Sequence, residues 1–578
     1  MLVRIRTISR SEPRLRDVRD PREVLLYRVA LVAAVLLGVA VRSFHVLRHD
    51  FPLNDGGLFY TMARDLQAND YRIPAFTSFN GGEIPFGYPP LAMYVAALLD
   101  DVTPIGLMTL FRLLPMLATS GTVVAFALLA RDLLRSRLAI VSAVLVFAFT
   151  PRSYIWPLMG GGLTRSLGLL CAILALWAVH RMYARRDWRR YLPLALLFSS
   201  ATVLSHVETG WFLAFSIAIF WATFGRYRQS ILPSVALALG TLVLTAPWWV
   251  TVIALHDGLE PFRAAQQSGG NALTDGGVRM YVGLSLARVV ATSEPWYPLL
   301  GTLGLLGAFV TVVSRRYYLL AWWVAIIVLD PRAFPTLVSL PVSLLAGIAI
   351  AELLVPTLAR LATGDDVPPA NGSGNGHRAS RIPAEFVRIA RSPAGGVLAV
   401  LFVFALVGSL VTKPGLAGEG YFLRPLSHGE RDAMAWVAEH TDPDARVLVI
   451  PRGSWETDKE GEWFPVLAQR LSVTTVQGYE WVPDDGFRER QAMYWAAYEC
   501  GFRTTACLDQ WLRDYPEGRF THIYVPRFEG VQCCSTLTRS LNQDSRYTRV
   551  YEDDGGTIWE LKPWFVPNDD RTRRAVPN

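Results

Sequence analysis

The chain has 578 residues, of which 52% are hydrophobic and 18% charged, with a formal net charge of +7. Its mean hydropathy of +0.27 is too high for an ordinary soluble protein and points to a chain embedded largely in lipid. The basic residues are mostly Arg and lie in short segments between apolar runs. That distribution argues against the single basic face of a nucleic-acid-binding protein, so nucleic acid is not an expected partner.

Residues 1–23 form a basic tail, and no small-residue cleavage site follows the next apolar stretch. The tail therefore predicts a cytoplasmic N-terminus and a first span that stays as an anchor. A bilayer crossing needs roughly 20 apolar residues, and about eleven stretches qualify. They lie near 24–44, 111–130, 138–152, 164–182, 190–206, 209–224, 231–255, 295–314, 317–330, 333–355 and 394–412. The even-numbered connections are the Arg-rich ones: three Arg in 131–137, five in 181–190, two in 225–230, two in 314–316 and five in 360–391. The short connections of the other set carry none at 205–210 and only Arg332 at 330–333. That alternation obeys the positive-inside rule and predicts a multi-pass protein of the cell membrane.

The same alternation requires that Tyr88-Pro89-Pro90-Leu91 onward not be a span. Leu91, Tyr94, Val95, Leu98 and Leu99 share one helical face, and the stretch ends at Asp100-Asp101. It reads as a short helix lying on the membrane surface, with Pro in its first turn. Three large extracytoplasmic segments follow: 45–110, 256–294 and everything after Lys413. The cytoplasmic segment 357–393 contains Asn371-Gly372-Ser373-Gly374-Asn375-Gly376-His377, a flexible-linker composition. Residues 24–412 thus form a transmembrane domain, and 420–578 a soluble extracytoplasmic α/β domain.

In that last domain Ser427-His428-Gly429-Glu430 is a capping box that opens a helix. Short strands are expected at 447–450 and 522–525, and a hairpin over 547–561 turning at Asp554-Gly555-Gly556. Cys500, Cys507, Cys533 and Cys534 suit disulfides with three possible connectivities. No phosphate-binding glycine loop of the dinucleotide or P-loop type is present.

One acidic residue stands out. Asp55 follows the first span in Asn54-Asp55-Gly56-Gly57. A carboxylate beside a Gly pair at a membrane surface is a good candidate base, and it is also a good cap for a helix over 57–66.

With this topology, four features resemble the GT-C superfamily of membrane glycosyltransferases. They are the acidic residue in the first external loop, the Tyr88-Pro89-Pro90-Leu91 segment, an external His206-Val207-Glu208 between two spans, and the C-terminal domain. That domain opens with Ala435-Trp436-Val437-Ala438-Glu439-His440 and continues through Glu462-Trp463-Phe464-Pro465 to Gly478-Tyr479-Glu480-Trp481. The look is nearest the protein-mannosyltransferase and aminoarabinose-transferase-like branches. It departs from the oligosaccharyltransferase branch, because the chain has no Trp-Trp-Asp-Tyr-Gly motif.

The resemblance implies a GT-C-like polytopic helical fold, a polyprenyl-phosphate sugar donor and transfer with inversion to a glycan, lipid or protein acceptor. Asp55 is then the general base that takes the acceptor proton. Arg165 and Arg332 stand on the side where basic residues are few and can bind the donor phosphate, or snorkel to lipid headgroups. Glu83 is a candidate second acidic group or metal ligand, or a solvated loop residue. His206 and Glu208 stand at a membrane boundary, where polar groups tend to line a cavity: both are candidates for a divalent metal and His206 also for the donor phosphate, or they are the ordinary polar residues of a tight turn. Tyr88 can line the same cavity. The runner-up reading is a transporter or flippase, which the absence of internal repeats disfavours. A third reading is an assembly protein that keeps the fold without the chemistry.

Overall fold

The computed structural model describes residues 21–268, 299–330, 333–358, 423–527 and 533–562. The stretch at 394–412, nearly all of the 357–393 linker, Arg332, and most of loop 256–294 lie outside the described residues.

Helices dominate the first part. They are α1 (Pro21–Leu47), α2 (Gly57–Ala68), α3 (Leu91–Val102), α4 (Leu107–Leu133), α5 (Arg137–Phe149), α6 (Ile155–Leu158), α7 (Gly162–Ala184), α8 (Trp188–Ser205), α9 (Val207–Phe224) and α10 (Ile231–Leu255). Then come α11 (Glu260–Ser268), α12 (Leu299–Val313), α13 (Tyr318–Leu329), α14 (Phe334–Leu337) and α15 (Ser339–Ile348), which continues as a π-helical turn, Ala349–Leu354. Among the described residues six helical segments are long and apolar enough to cross a membrane, and α5, α12 and α13 are shorter apolar helices. The chain is thus a multi-pass membrane protein.

Burial shows which helices are central. The most apolar window of α7 is 72% buried within the protein, against 17% for α1 and 22% for the helix ending at Leu255. On those two outer helices Leu25, Leu36, Leu232 and Val243 are exposed. Such apolar side chains fit lipid, not water. Between them α7 packs against α4, α8 and α9.

The helix α3 forms where the sequence places it, and it packs across α2 and α4 through Ala92, Met93, Ala96 and Ala97, not through the Leu91, Tyr94, Val95, Leu98 and Leu99 face, whose Leu98 is exposed. It passes through Asp100-Asp101 to Val102, because those carboxylates are engaged from the side. Gln67 Nε2 donates to both, at 2.8 and 2.9 Å. Where 205–210 reads as a loop, His206 alone separates α8 from α9.

The C-terminal part carries a five-stranded sheet in the order β4-β3-β5-β7-β6. Its strands are β3 (Arg446–Val449), β4 (Leu471–Ser472), β5 (His522–Pro526), β6 (Tyr547–Glu552) and β7 (Gly556–Leu561), numbered after a small β1–β2 pair (Phe76–Thr77, Ile84–Pro85) between α1 and α4. The three strands β4, β3 and β5 are parallel, whereas β7 and β6 run antiparallel as the hairpin. Helices α16 (His428–His440), α17 (Lys459–Leu467), α18 (Gly486–Cys500), α19 (Thr505–Asp514) and α20 (Ser535–Gln543) accompany it. The capping box at Ser427 and Glu430 forms in both directions. The cysteines pair as Cys500–Cys507 and Cys533–Cys534.

This sheet unit sits on the segment between α1 and α4. Asn80 exchanges two hydrogen bonds with the backbone of Ser472 in β4, at 3.0 and 2.8 Å. Helix α17 packs directly against α2. The candidate base therefore lies between two bodies of structure.

Candidate active site

Beyond α1 the chain turns sharply. Asn54 has φ 54° and Gly56 has φ 133°, and glycine adopts that second value without steric cost. The turn delivers Asp55 to the N-terminus of α7. There Gly161 N donates to Asp55 Oδ1 at 3.0 Å, and Arg165 Nη2 donates to Oδ2 at 2.7 Å. Both partners favour a carboxylate: a helix N-terminus presents free amides and a positive dipole end, and the guanidinium adds a full charge. A side chain at position 161 would put its Cβ 2.6 Å from Asp55 Oδ2, so the approach needs glycine there. Arg165 is fixed in turn by the carbonyl of Trp156, at 3.3 Å, and by the Trp156 ring, 4.8 Å from its guanidinium carbon.

Asp55 does not cap the helix that follows it. The first amides of α2 are taken from across the site: Gly56 N and Leu58 N donate to Glu462 Oε1 at 3.0 and 3.3 Å. Trp463 Nε1 donates to the Asn54 carbonyl at 2.8 Å. Glu462 is 3% exposed. Burial, and then the nearby charge of Asp55, push its carboxyl up to about 8.

These groups open onto a cavity of about 330 Å³. Asp55, Tyr88, Arg165, His206 and Glu208 all line it, so five of the residues singled out from sequence share one space. His206 is oriented by Thr209, whose amide lies 3.3 Å from Nδ1 and whose hydroxyl lies 2.9 Å from it. Tyr88 packs edge-on against Phe59 and beside Trp481. Glu83 is elsewhere: it is exposed, and its charge reaches Arg446 and Tyr479. Arg332 lies outside the described residues, although Ala333, Pro335 and Thr336 line the cavity. Among the described residues no group of three or more His, Cys, Asp or Glu side chains gathers as a metal site requires.

Charged lining residues escape the sequence reading, among them Arg152, Glu462 and Glu480. Arg152 is absorbed into the end of the apolar run 138–152, yet α5 stops at Phe149 and Arg152 faces the cavity. Its Nε is buried without a hydrogen-bond partner among the described residues. The signal was present, since an Arg ending an apolar run on the Arg-poor side is as unusual as Arg165. Glu462 and Glu480 also line the cavity. Both read as parts of an aromatic stretch, and nothing local marks Glu462 as the partner of a turn 406 residues earlier.

By sequence, neither a family model nor a curated protein matches the chain. By structure it is similar to ArnT from Cupriavidus metallidurans bound to undecaprenyl phosphate, with TM-score 0.51 and 14% identity over 94% of this chain and 98% of that one. It is also similar to the Archaeoglobus fulgidus oligosaccharyltransferase, with TM-score 0.55 and 14% identity over 95% of this chain and 76% of that one. The chain has the fold of the GT-C membrane glycosyltransferases. The likeness extends equally to a branch from which the missing Trp-Trp-Asp-Tyr-Gly motif separates it, so the fold does not choose among branches.

Proposed function

We propose that the protein is a GT-C glycosyltransferase that moves a sugar from a polyprenyl-phosphate donor to an acceptor hydroxyl on the extracytoplasmic face, with Asp55 as general base. The observation that carries this reading is the meeting of Asp55, Arg165, Arg152, His206 and Glu208 on one cavity in a protein with this fold. ArnT holds undecaprenyl phosphate and the archaeal oligosaccharyltransferase has been tethered to an acceptor peptide, which supports a lipid-borne donor and leaves glycan, lipid and protein as acceptor classes. The alternation of Arg-rich segments supports a cytoplasmic N-terminus, about eleven spans and a sheet domain at 420–578 on the outer side.

The chemistry needs one proton transfer and one charge to be stabilised. The acceptor oxygen attacks the anomeric carbon as Asp55 takes its proton, and the carbon–phosphate oxygen bond breaks with its electron pair on the polyprenyl phosphate. Asp55 keeps acceptor sites free for that proton, because an ionised carboxylate offers about four and only two hydrogen bonds are described. Arg165 orients Asp55. Arg152, whose buried Nε has no hydrogen-bond partner among the described residues, joins Arg165 and Arg332 as a group that can hold the donor phosphate.

The test is release of polyprenyl phosphate from a panel of polyprenyl-phosphate sugars by the purified chain in detergent. Release with the wild type and its loss in Asp55→Asn is the expected result. Undiminished release with Asp55→Asn removes Asp55 as the base. Passage of a lipid-linked sugar across sealed vesicles without release supports a flippase instead.

A further inference from the structure

The Asp55 turn has two supports of different origin. One is α7, through Gly161 and Arg165. The other is α17 of the sheet unit, and it grips the turn backbone more extensively. Glu462 Oε1 takes the amides of Gly56 and Leu58, Trp463 holds the Asn54 carbonyl, and Asn54 Nδ2 donates to the Thr457 carbonyl at 3.4 Å. The fit is close: a Cβ on Gly57 would lie 2.5 Å from the Glu462 carbonyl oxygen. Without an acceptor, the amides of 56 and 58 would be buried donors with no partner. Such groups cost about 1–3 kcal/mol each, and a turn with glycine at two positions has the freedom to move away.

We propose that Glu462 is a positioning residue of the transfer site: by accepting the Gly56 and Leu58 amides it fixes the turn that carries Asp55, so that the base is aligned only while the sheet unit is docked on the first external loop. This rests on Asp55 being the base. It assigns the sheet unit a part in the chemistry itself, apart from any acceptor it binds. The buried carboxyl reaches the amides through one oxygen, which leaves its second oxygen outside those two bonds in a residue that lines the cavity. A protonated carboxyl fulfils the role without setting a second negative charge against the base, and its upward shift agrees with that form.

Two variants separate reach from charge. Glu462→Gln keeps an acceptor oxygen at the same distance and cannot ionise. Glu462→Asp keeps the acid but withdraws it by one carbon. The expected result is that Glu462→Asp lowers kcat by about 10²-fold, the scale of a base displaced by about 1 Å, with KM for the polyprenyl-phosphate sugar within about twofold of wild type. Glu462→Gln should keep kcat within about threefold. Hydrogen exchange over residues 54–58 of the full chain in detergent should quicken in Glu462→Asp and not in Glu462→Gln. The opposite pattern, Gln inactive and Asp active, overturns the proposal, as does slow exchange at 54–58 in both. Asp55→Asn run alongside keeps the two readings apart: transfer retained there defeats the assignment of the base, whereas its loss beside an active Glu462→Asp defeats only the positioning role.

Discussion

Two groups of buried charge lie close together in this protein and are built on opposite principles. At the cavity wall, one carboxylate meets one guanidinium: Asp55 and Arg165 are 2.7 Å apart, with side chains 10% and 15% exposed. At the start of α17, three carboxyls share two cations. Lys459 Nζ lies 3.1 Å from Glu430 and 3.6 Å from Glu460, Arg452 lies 2.8 Å from Glu460, and Asp458 is buried beside them. The first pair is balanced and open to a substrate. The second is sealed and has one acid too many: burial, helped by the charges of Glu430 and Asp458, outweighs Lys459 and Arg452 and pushes Glu460 up to about 8. The same residue types therefore stand on an open cavity in one place and in a sealed interior in the other.

The sharpest way to break that contrast is to neutralise each group. Asp55→Asn should lower sugar transfer by about 10³–10⁴-fold, the upper part of the range for a lost general base, while the thermal midpoint of the detergent-solubilised protein holds. Lys459→Met should do the reverse. Removing one partner of a buried pair leaves Glu430 and Glu460 uncompensated and costs about 3–5 kcal/mol. Its effect should appear as a lower melting midpoint, with activity per folded molecule retained. Were Lys459→Met to melt like wild type, the sealed cluster would carry no structural load and the contrast would collapse.

The parts of this arrangement visible in the sequence are those where a polar residue interrupts an apolar run. Arg165, His206 and Glu208 stand at the ends of apolar helices and Asp55 in the turn that follows the first of them, and the bilayer makes such exceptions conspicuous. All four reach one cavity. Glu83 has the same residue type and loop as Asp55 but no apolar context, and it faces outward. Arg152 was hidden because the boundary of α5 falls three residues before the apolar run ends. Glu462 was hidden for a different reason. It joins Gly56 across a sequence separation of 406 residues, and the local pattern of α17 describes only how that helix packs on β4 and α2. Helix order and the edge hairpin follow from periodicity and turn chemistry. Docking between distant segments depends on tertiary contacts that no window of sequence contains.

A smaller change probes the open pair alone. Gly161→Ala leaves every charge in place and lies at an ordinary helical φ, so the backbone accepts it. Its Cβ would stand 2.6 Å from Asp55 Oδ2 and force the carboxylate off the α7 amide. Transfer should fall by about 10²-fold, with the melting midpoint little changed. Full activity in Gly161→Ala would mean that α7 does not set the position of Asp55.

The mildest test uses pH on the sealed cluster. Glu460 holds a proton in the folded protein up to about 8, whereas an unfolded Glu releases it near 4.3. Across that window the folded state binds the extra proton, so stability falls as pH rises, and the loss is complete above the folded value. Glu430 has the opposite sign. Burial alone would raise it, but Lys459, Arg452 and its hydrogen bonds outweigh burial and bring it down to about 2. Its contribution is present above the unfolded value and disappears as pH falls toward 2. The melting midpoint should therefore decline from pH 5 to pH 8. Glu460→Gln, which mimics the protonated acid at every pH, should flatten that decline in part, because Glu462 still titrates in the same range and with the same sign. A midpoint that declines equally in wild type and Glu460→Gln would place the extra proton on another group, and the double variant Glu460→Gln/Glu462→Gln then decides whether the Glu460 or the Glu462 carboxyl holds it.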